Sequence, residues 1–555
     1  MLTPAEQTLF RRLAVFAGGC TVEAADAVCE RVGRLEITTL AGLASLVDKS
    51  LLSALGEGDD EVGPRFGMLE TVREFALAQL LAGSDAEAAH REHARYYLSL
   101  AEHAERELNG PAQEAWLNRL ETEHQNFRAA LRFAKHAGDV ELGLRLVAAL
   151  GPFWTARGHL EEAQTWLDTF LESAESIDIP DTVRARALCA GASVFALLCG
   201  HNERSLSTLR EALELAQRAG DDATAAVMLW QLGTDYSATA DFRRGQELLA
   251  ESLTLFQRLG DQSGICAVLM GLATPPRFQG DFERATAIFG EALSVARELG
   301  HSRRIAEILA KLGSLESERG RPECSAPFYE EARGIYRRLG DPFGIADILL
   351  RSGETAVDMG EFEDALDLLE ASLPIFQSQG SSIAVAHVRL YQGEAALRMG
   401  DLGRAEELAS QSLEVLIGFG DCRFTCDARL VLADVAREQH NLERALTLYK
   451  TSLSALRNLN ARPLMAQCLE RMVLFAALRE LAGPAARLHG AAQALRAGMG
   501  AEIPPADRER YNHALADVRE QMGKEAFDAA VGEGKAMTLD QAVDYALDEV
   551  TAGSD

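Results

Sequence analysis

The chain has few of the features that announce chemistry. No segment matches the phosphate-binding pattern GxxxxGK[ST], and the nearest glycine–lysine, GEGKAM at Gly532 to Met537, lacks the upstream glycine and the serine or threonine. No GxSxG elbow and no HExxH helix occurs either. Nothing positive therefore argues for an enzyme, and no cofactor and no resident metal are expected. Positive charge is also scarce. Against 84 Asp and Glu stand 55 Lys and Arg, a net charge of -29. Such a surface repels phosphate, which excludes a general nucleic-acid binder but not a locally basic face. The plain use of strong net charge is solubility. The nine cysteines are scattered and odd in number, which reads as reduced thiols. Cys422 and Cys426 stand one helical turn apart, yet no second cysteine pair or nearby histidine pair completes a zinc site. No apolar run approaches bilayer length, and MLTPAEQTLF lacks the charged-then-apolar pattern of a signal peptide, so a soluble cytoplasmic protein is expected.

What is present is periodic. Gly220, Gly260, Gly300, Gly340, Gly380 and Gly420 stand forty residues apart, and Asn460 falls on the next mark. Gly200, Ala240, Gly280, Gly320, Gly360, Gly400 and His440 interleave at the half-period. Two phase-locked sets of breakers mean two helices per unit, and alanine, leucine, glutamate and arginine fill the spans between them. Small residues recur at Gly233, Ala273, Gly313, Gly353, Gly393 and Ala433 on the first helix. They recur at Gly245, Ala285, Ser325, Ala365, Ala405 and Ala445 on the second, where the axes must come close. This resembles the tetratricopeptide pattern stretched from 34 to about forty residues. The expected fold is all-α: a tetratricopeptide-type superhelical solenoid of helical hairpins over 139–480, closed by a C-terminal helical cap over 481–555. One unit departs from the rule. Pro275-Pro276 falls inside a first helix, so that helix should end early, with Thr274 pushed out of helical geometry and TPPRFQG left irregular.

Residues 1–82 do not keep the beat. Thr3-Pro4-Ala5-Glu6 is a capping box, Thr21 caps a second helix, and a third runs from about Ile37 to Val47. Strand candidates Leu51 to Leu55 and Phe66 to Leu69 flank the acidic loop GEGDDEVGP. Three helices and a β-hairpin are the order of a winged-helix domain. Its third helix carries no charge, and residues 1–80 hold seven Lys/Arg against twelve Asp/Glu, so a structural role outweighs a DNA-reading one. Residues 83–138 form a helical connector, in which His90 and His93 read as surface histidines.

Projecting tetratricopeptide groove positions onto the repeats gives candidate binding residues. They are Trp230, Arg277, Phe278, Glu318, Asp347 and Glu354, followed by Asp358, His387, Glu394, Arg398, Asp434 and Arg437. Asp427 belongs to the same projection. An acidic middle with arginines and aromatics at its edges suits a basic or polar peptide, a protein partner or a small polar inducer. The same residues would equally make a solvated helix face with intrahelical ion pairs.

The segments LFRRLAVFAGGCTVEAADAVC, LASLVDKSLL and FGMLETVREFALAQL, with RLETEHQNFRAALRFA and the closing AARLHGAAQALRAGMG, resemble large bacterial regulators. These are the signal-transduction (STAND) ATPases of the LuxR/MalT and AfsR-like kinds. In that family an NTPase domain precedes the winged helix, MalT-like repeats follow, and a DNA-binding helix-turn-helix often ends the chain. Here Met1 falls where the winged helix begins and the chain stops at VDYALDEVTAGSD, so both active ends are expected to be missing. The resemblance implies a non-catalytic, signal-sensing, protein-binding arm in transcription control, with an NTPase domain or an inducer as partner. Direct DNA binding through the winged helix is the alternative.

Overall fold

The computed structural model describes residues 1–55, 63–199, 203–238, 241–418 and 423–548. Most of the acidic loop, the marks at Gly200, Ala240 and Gly420, Cys422 and the last residues lie outside the described residues. The chain forms two compact units, one of Met1–Thr155 with Glu162–Gly191, the other of Ala156–Glu161 with Ala192–Asp555. Among the described residues no helix is long and apolar enough to cross a membrane.

The first unit opens with the expected winged helix. Thr3 and Glu6 close their capping box at the start of Pro4–Arg12, and Thr21 accepts the Ala24 N–H at 3.1 Å to start Val22–Val32. Thr39–Asp48 is the third helix. Strand β1 is Cys20–Thr21, β2 is Ser53–Ala54 and β3 is Arg65–Gly67, antiparallel in the order β1-β3-β2. β1 was not foreseen, because two residues are too few to show an alternation.

The next four helices of the unit are Glu70–Leu81, Ala86–Glu107, Gln113–Thr122 and His124–Ala137. They are stitched to the wing by buried polar groups. Arg65 pairs with Glu123, which also accepts from the Tyr97 hydroxyl at 2.8 Å. The Asn126 amide accepts the Ala17 N–H at 2.8 Å and donates to the Gly19 carbonyl at 3.0 Å. His93 corrects the surface reading. It is buried at 2% exposure, edge-on to Phe16 and beside Tyr97, and burial holds it neutral with a pKa of about 3. Its periodic position faces the wing, which the helix pattern alone did not reveal. His90 is half-buried, with Nδ1 against the Ala86 carbonyl.

In the second unit the glycine marks are joints. Gly220, Gly260, Gly280, Gly300, Gly320, Gly340, Gly360, Gly380 and Gly400 all have positive φ, the left-handed conformation that lets a helix stop and turn. After the glycine, the next N–H reaches back to the ending helix, as Asp261 does to Phe256 and Asp341 to Tyr336, both at 3.0 Å. The same residue often caps the following helix: Asp261 accepts from Gly264 at 2.9 Å and Asp341 from Gly344 at 2.8 Å. His440, Asn460 and Glu480 take the same left-handed conformation without being glycine, and the beat runs on to Gly500, past the boundary expected at residue 480.

The small positions bring helices together. A Cβ on Gly233 would lie 3.0 Å from the Gly245 carbonyl, and Ala285, Ala365, Ala405 and Ala445 have no exposed surface. Phe289, Phe376 and Tyr449 fill the interior, each side chain giving on the order of 2 kcal/mol of burial. At the double proline the first helix ends early, as expected, but Thr274 and the residues after it are helical, not irregular. Gln262–Leu272 ends at Ala273, and Thr274–Phe278 resumes as a short helix with Pro275 at its start. At a helix start the missing proline N–H leaves no hydrogen bond unmade, so the chain restarts instead of unravelling.

The C-terminal end of this unit packs back onto the repeats. Glu502 donates its N–H to the Arg319 carbonyl at 2.8 Å. A Cβ on Gly320 would come within 2.2 Å of the Glu502 carbonyl oxygen, and one on Gly280 within 2.2 Å of the Met499 sulfur. Pro505–Met522 follows this docked segment.

Candidate functional site

First helices of successive pairs supply the residues of one cavity in the second unit. Thr274–Phe278 gives Arg277 and Phe278, Ser302–Glu318 gives Ser317 and Glu318, and Pro342–Met359 gives Glu354 and Asp358. Ser382–Arg398 adds Tyr391 and Glu394, Arg423–Glu438 adds Arg423 and Asp427, and Arg462–Leu478 adds Pro463, Leu464, Gln467 and Arg471. Arg496 and Pro504, from the docked C-terminal end, complete the wall. The cavity spans about 900 Å³ of unfilled space, part of it open to solvent.

Its charges are arranged in pairs. Arg277 meets Glu318 through two bonds, one of 2.8 Å, and Arg423 clamps the same carboxylate from the far side. Burial disfavours a charged Glu318, but the two arginines win and hold its pKa at about 2. Arg423 also reaches Glu354 at 3.2 Å. Arg471 takes Glu394 at 2.9 Å and Asp434 at 3.0 Å. Arg496 forks onto Glu470 at 2.7 and 2.8 Å.

Two carboxylates are less well served. Asp358 accepts the Ser317 hydroxyl at 2.7 Å, and among the described residues no arginine or lysine pairs with it. Burial, reinforced by Glu354, Glu394 and Asp507, pushes its pKa well above the carboxylate range. Asp427 has Arg423 Nε at 3.6 Å, and burial lifts its pKa to about 7. Tyr391 is 6% exposed, and its hydroxyl lies beside Glu354 without a well-aligned hydrogen bond. Glu354 is the strongest of its charged neighbours.

Of the residues projected from the sequence, Arg277, Phe278, Glu318, Glu354, Asp358 and Glu394 line this cavity, as does Asp427. The others lie elsewhere. Trp230 is half-buried under the Arg304 guanidinium, 5.6 Å from its ring centre. Asp347 is paired with Arg351 on its own helix at 2.8 Å. His387 stacks on Phe424 at 3.7 Å, where burial lowers its pKa to about 3. Arg398 holds Asp507 and reaches Glu394 at 3.3 Å, behind the wall. Asp434 has no exposed surface and is held by Tyr449, Arg437 and Arg471. Arg437 is spent on Asp434 at 2.9 Å and Glu438 at 2.8 Å.

Of the residues that the projection missed, Arg423 precedes the projected Asp427 by four positions, one helical turn, so its signal was present in the spacing. Arg471 and Gln467 lie beyond Arg437, where the projection stopped. For Arg496 and Pro504 no local signal existed, because only the tertiary docking brings them in.

This fold defines a class: a tetratricopeptide-type helical solenoid that follows a winged helix in the chain. Residues 2–82 match the winged helix-turn-helix domain family, and residues 344–418 match the tetratricopeptide repeat family. Among curated proteins, the chain is similar to ones named as HTH-type transcriptional regulators in Mycobacterium bovis and Mycobacterium tuberculosis. Each is 35% identical over 251 residues, covering 43% of this chain and 27% of the relative, so the match spans about a quarter of those proteins' length.

Two solved structures show more distant likeness. One is a Signal Transduction ATPase with Numerous Domains protein with a tetratricopeptide repeat sensor from Pyrococcus horikoshii. It is 16% identical with a TM-score of 0.46, over 83% of this chain and 65% of that one. The other is a Rap protein complexed with competence and sporulation factor, 12% identical with a TM-score of 0.49, over 66% of this chain and 98% of that one.

Proposed function

We propose that this chain is a non-catalytic sensing arm in transcription control, whose repeat cavity receives a polar ligand or a peptide. The observation that carries the reading is the cavity itself. Helices from successive repeats and the docked C-terminal end all contribute to it, so an occupant touches several repeats at once. The cavity wall is mostly charged, with apolar ground at Phe278, Pro463, Leu464 and Pro504. The winged helix-turn-helix match and the mycobacterial regulators support the link to transcription. Within that reading the winged helix is structural, knit to its neighbours through Arg65, Glu123 and Asn126.

The test is a thermal-stabilisation screen of the whole chain against polar small molecules and short peptides. Any ligand found should be lost in Leu464→Trp, which fills the cavity, and retained in Trp230→Ala, which lies outside it. The reverse pattern would move the site to the Trp230 face and sink the cavity assignment. Circular dichroism of both variants separates lost binding from lost folding.

A further inference from the structure

The balance of satisfied and unsatisfied groups says what kind of ligand the cavity suits. Every arginine on its wall is ion-paired, although Arg423 Nε and Arg471 Nε make no hydrogen bond among the described residues. Arg277 is spent on Glu318, Arg423 on Glu318 and Glu354, Arg471 on Glu394 and Asp434, and Arg496 on Glu470. An anionic ligand would add to a wall on which the carboxylates of Glu318, Glu354, Asp358, Glu394 and Asp427 already outnumber the guanidiniums of Arg277, Arg423, Arg471 and Arg496. The acceptors are in the opposite position. Asp358 has a single hydroxyl donor and no cation, Asp427 has only a long approach from Arg423, and the buried Tyr391 hydroxyl has Glu354 beside it but no well-aligned bond. Beside them the wall turns apolar at Phe278, Leu464 and Pro504.

We infer that the cavity binds an organic cation, an ammonium or guanidinium head on a short apolar stem, with the head seated among Asp358, Asp427 and Tyr391. The inference rests on the reading of this cavity as a ligand site and adds the chemistry of the occupant. A cationic head donates N–H bonds to both carboxylates and to the phenol oxygen, and the stem lies against Phe278 and Leu464. The surrounding pairs stay intact. The same chemistry is offered by a lysine or arginine side chain in a peptide and by a free amine.

Calorimetry on the whole chain tests it with n-pentylammonium, agmatine and N-acetyl-lysine methylamide, against pentanol and pentanoate as neutral and anionic counterparts. The cations should bind, and the counterparts should not. Asp358→Asn keeps the shape and the Ser317 bond, and should weaken cation binding at least about tenfold, the scale of one charge-assisted hydrogen bond. Asp427→Asn should act the same way, which guards against a folding defect in either variant. Binding of the lysine amide as tight as that of the free amines assigns the head to a peptide side chain; binding of the free amines alone assigns it to a small amine. Pentanol or pentanoate binding as well as pentylammonium overturns the cationic assignment while leaving the cavity a ligand site, as does cation binding untouched by both variants. Failure of every probe, whatever its charge, overturns the cavity as a ligand site.

Discussion

Arg423 grips Glu318 across 105 residues of chain, joining the start of one first helix to the end of another. Arg277 holds the same carboxylate, so a single buried glutamate collects two arginines. Removing the charge strands both cations. Glu318→Gln should therefore cost about 3 kcal/mol, in the range for breaking a buried pair from one side. Glu330→Gln, whose partner Arg333 is met at the surface, should cost under about 0.5 kcal/mol. Chemical denaturation of the two variants checks the contrast, and equal losses would refute the clamp.

The docked C-terminal end depends on the bareness of Gly320. Its φ is +78°, and an added Cβ would meet the Glu502 backbone at 2.2 Å. Gly320→Ala should destabilise by about 1–3 kcal/mol and loosen the docking. Hydrogen exchange should rise over residues 501–522 and stay unchanged over residues 1–137.

His93 makes the first unit sensitive to acid. Its folded pKa of about 3 lies below the ordinary 6.5 of a free imidazole, so the unfolded chain binds the extra proton. Its contribution is fully present above about pH 6.5 and is lost as pH falls towards 3. His93→Leu should flatten the pH dependence of unfolding by close to one proton across that window. An unaltered slope in urea unfolding at a series of pH values would contradict this.

Cation binding should respond to pH in the opposite region. Asp427 faces Arg423, Arg471, Glu354 and Glu394, and its pKa of about 7 leaves it half neutral near pH 7. Pentylammonium affinity should rise as pH passes upward through 7, with proton release visible in buffers of different ionisation enthalpy. In Asp427→Asn the rise should shrink. For stability the sign is reversed: the raised pKa favours the folded chain below about pH 4, an advantage lost as pH climbs to 7.

The winged helix should not retain DNA. Thr39–Asp48 exposes Leu40, Ala41, Ala44 and Asp48, with no cation among them to reach a base edge or phosphate. Fluorescence anisotropy with labelled duplex at low salt should show no saturable binding by the whole chain; a salt-dependent isotherm would reverse the assignment.

The rhythm of the chain was legible because each joint needs a special residue. Gly260, Gly300 and Gly340 stand out in a text of alanine and leucine, and Asp261 and Asp341 follow as caps. The candidate site was legible by column. Glu354, Glu394 and Asp434 occupy one column of the forty-residue lattice, yet the first two line the cavity and the third is buried beneath Tyr449. Column position follows from helix periodicity. Which member of a column meets open space depends on neighbours far along the chain, such as Arg471 and Asp507, and no local pattern encodes that.

Arrays of helical pairs commonly gain or lose whole units, since each unit touches only the next. The stretch from Arg277 to Pro504 lacks that freedom. Each pair within it places its own side chains on one shared wall, and deletion of a forty-residue unit between Glu318 and Arg423 would keep the rhythm while pulling the two out of reach. These repeats are expected to be inherited as a block. The pair Asp222–Ala238 and Phe242–Leu259, which adds nothing to that wall, is where the number of units is free to drift.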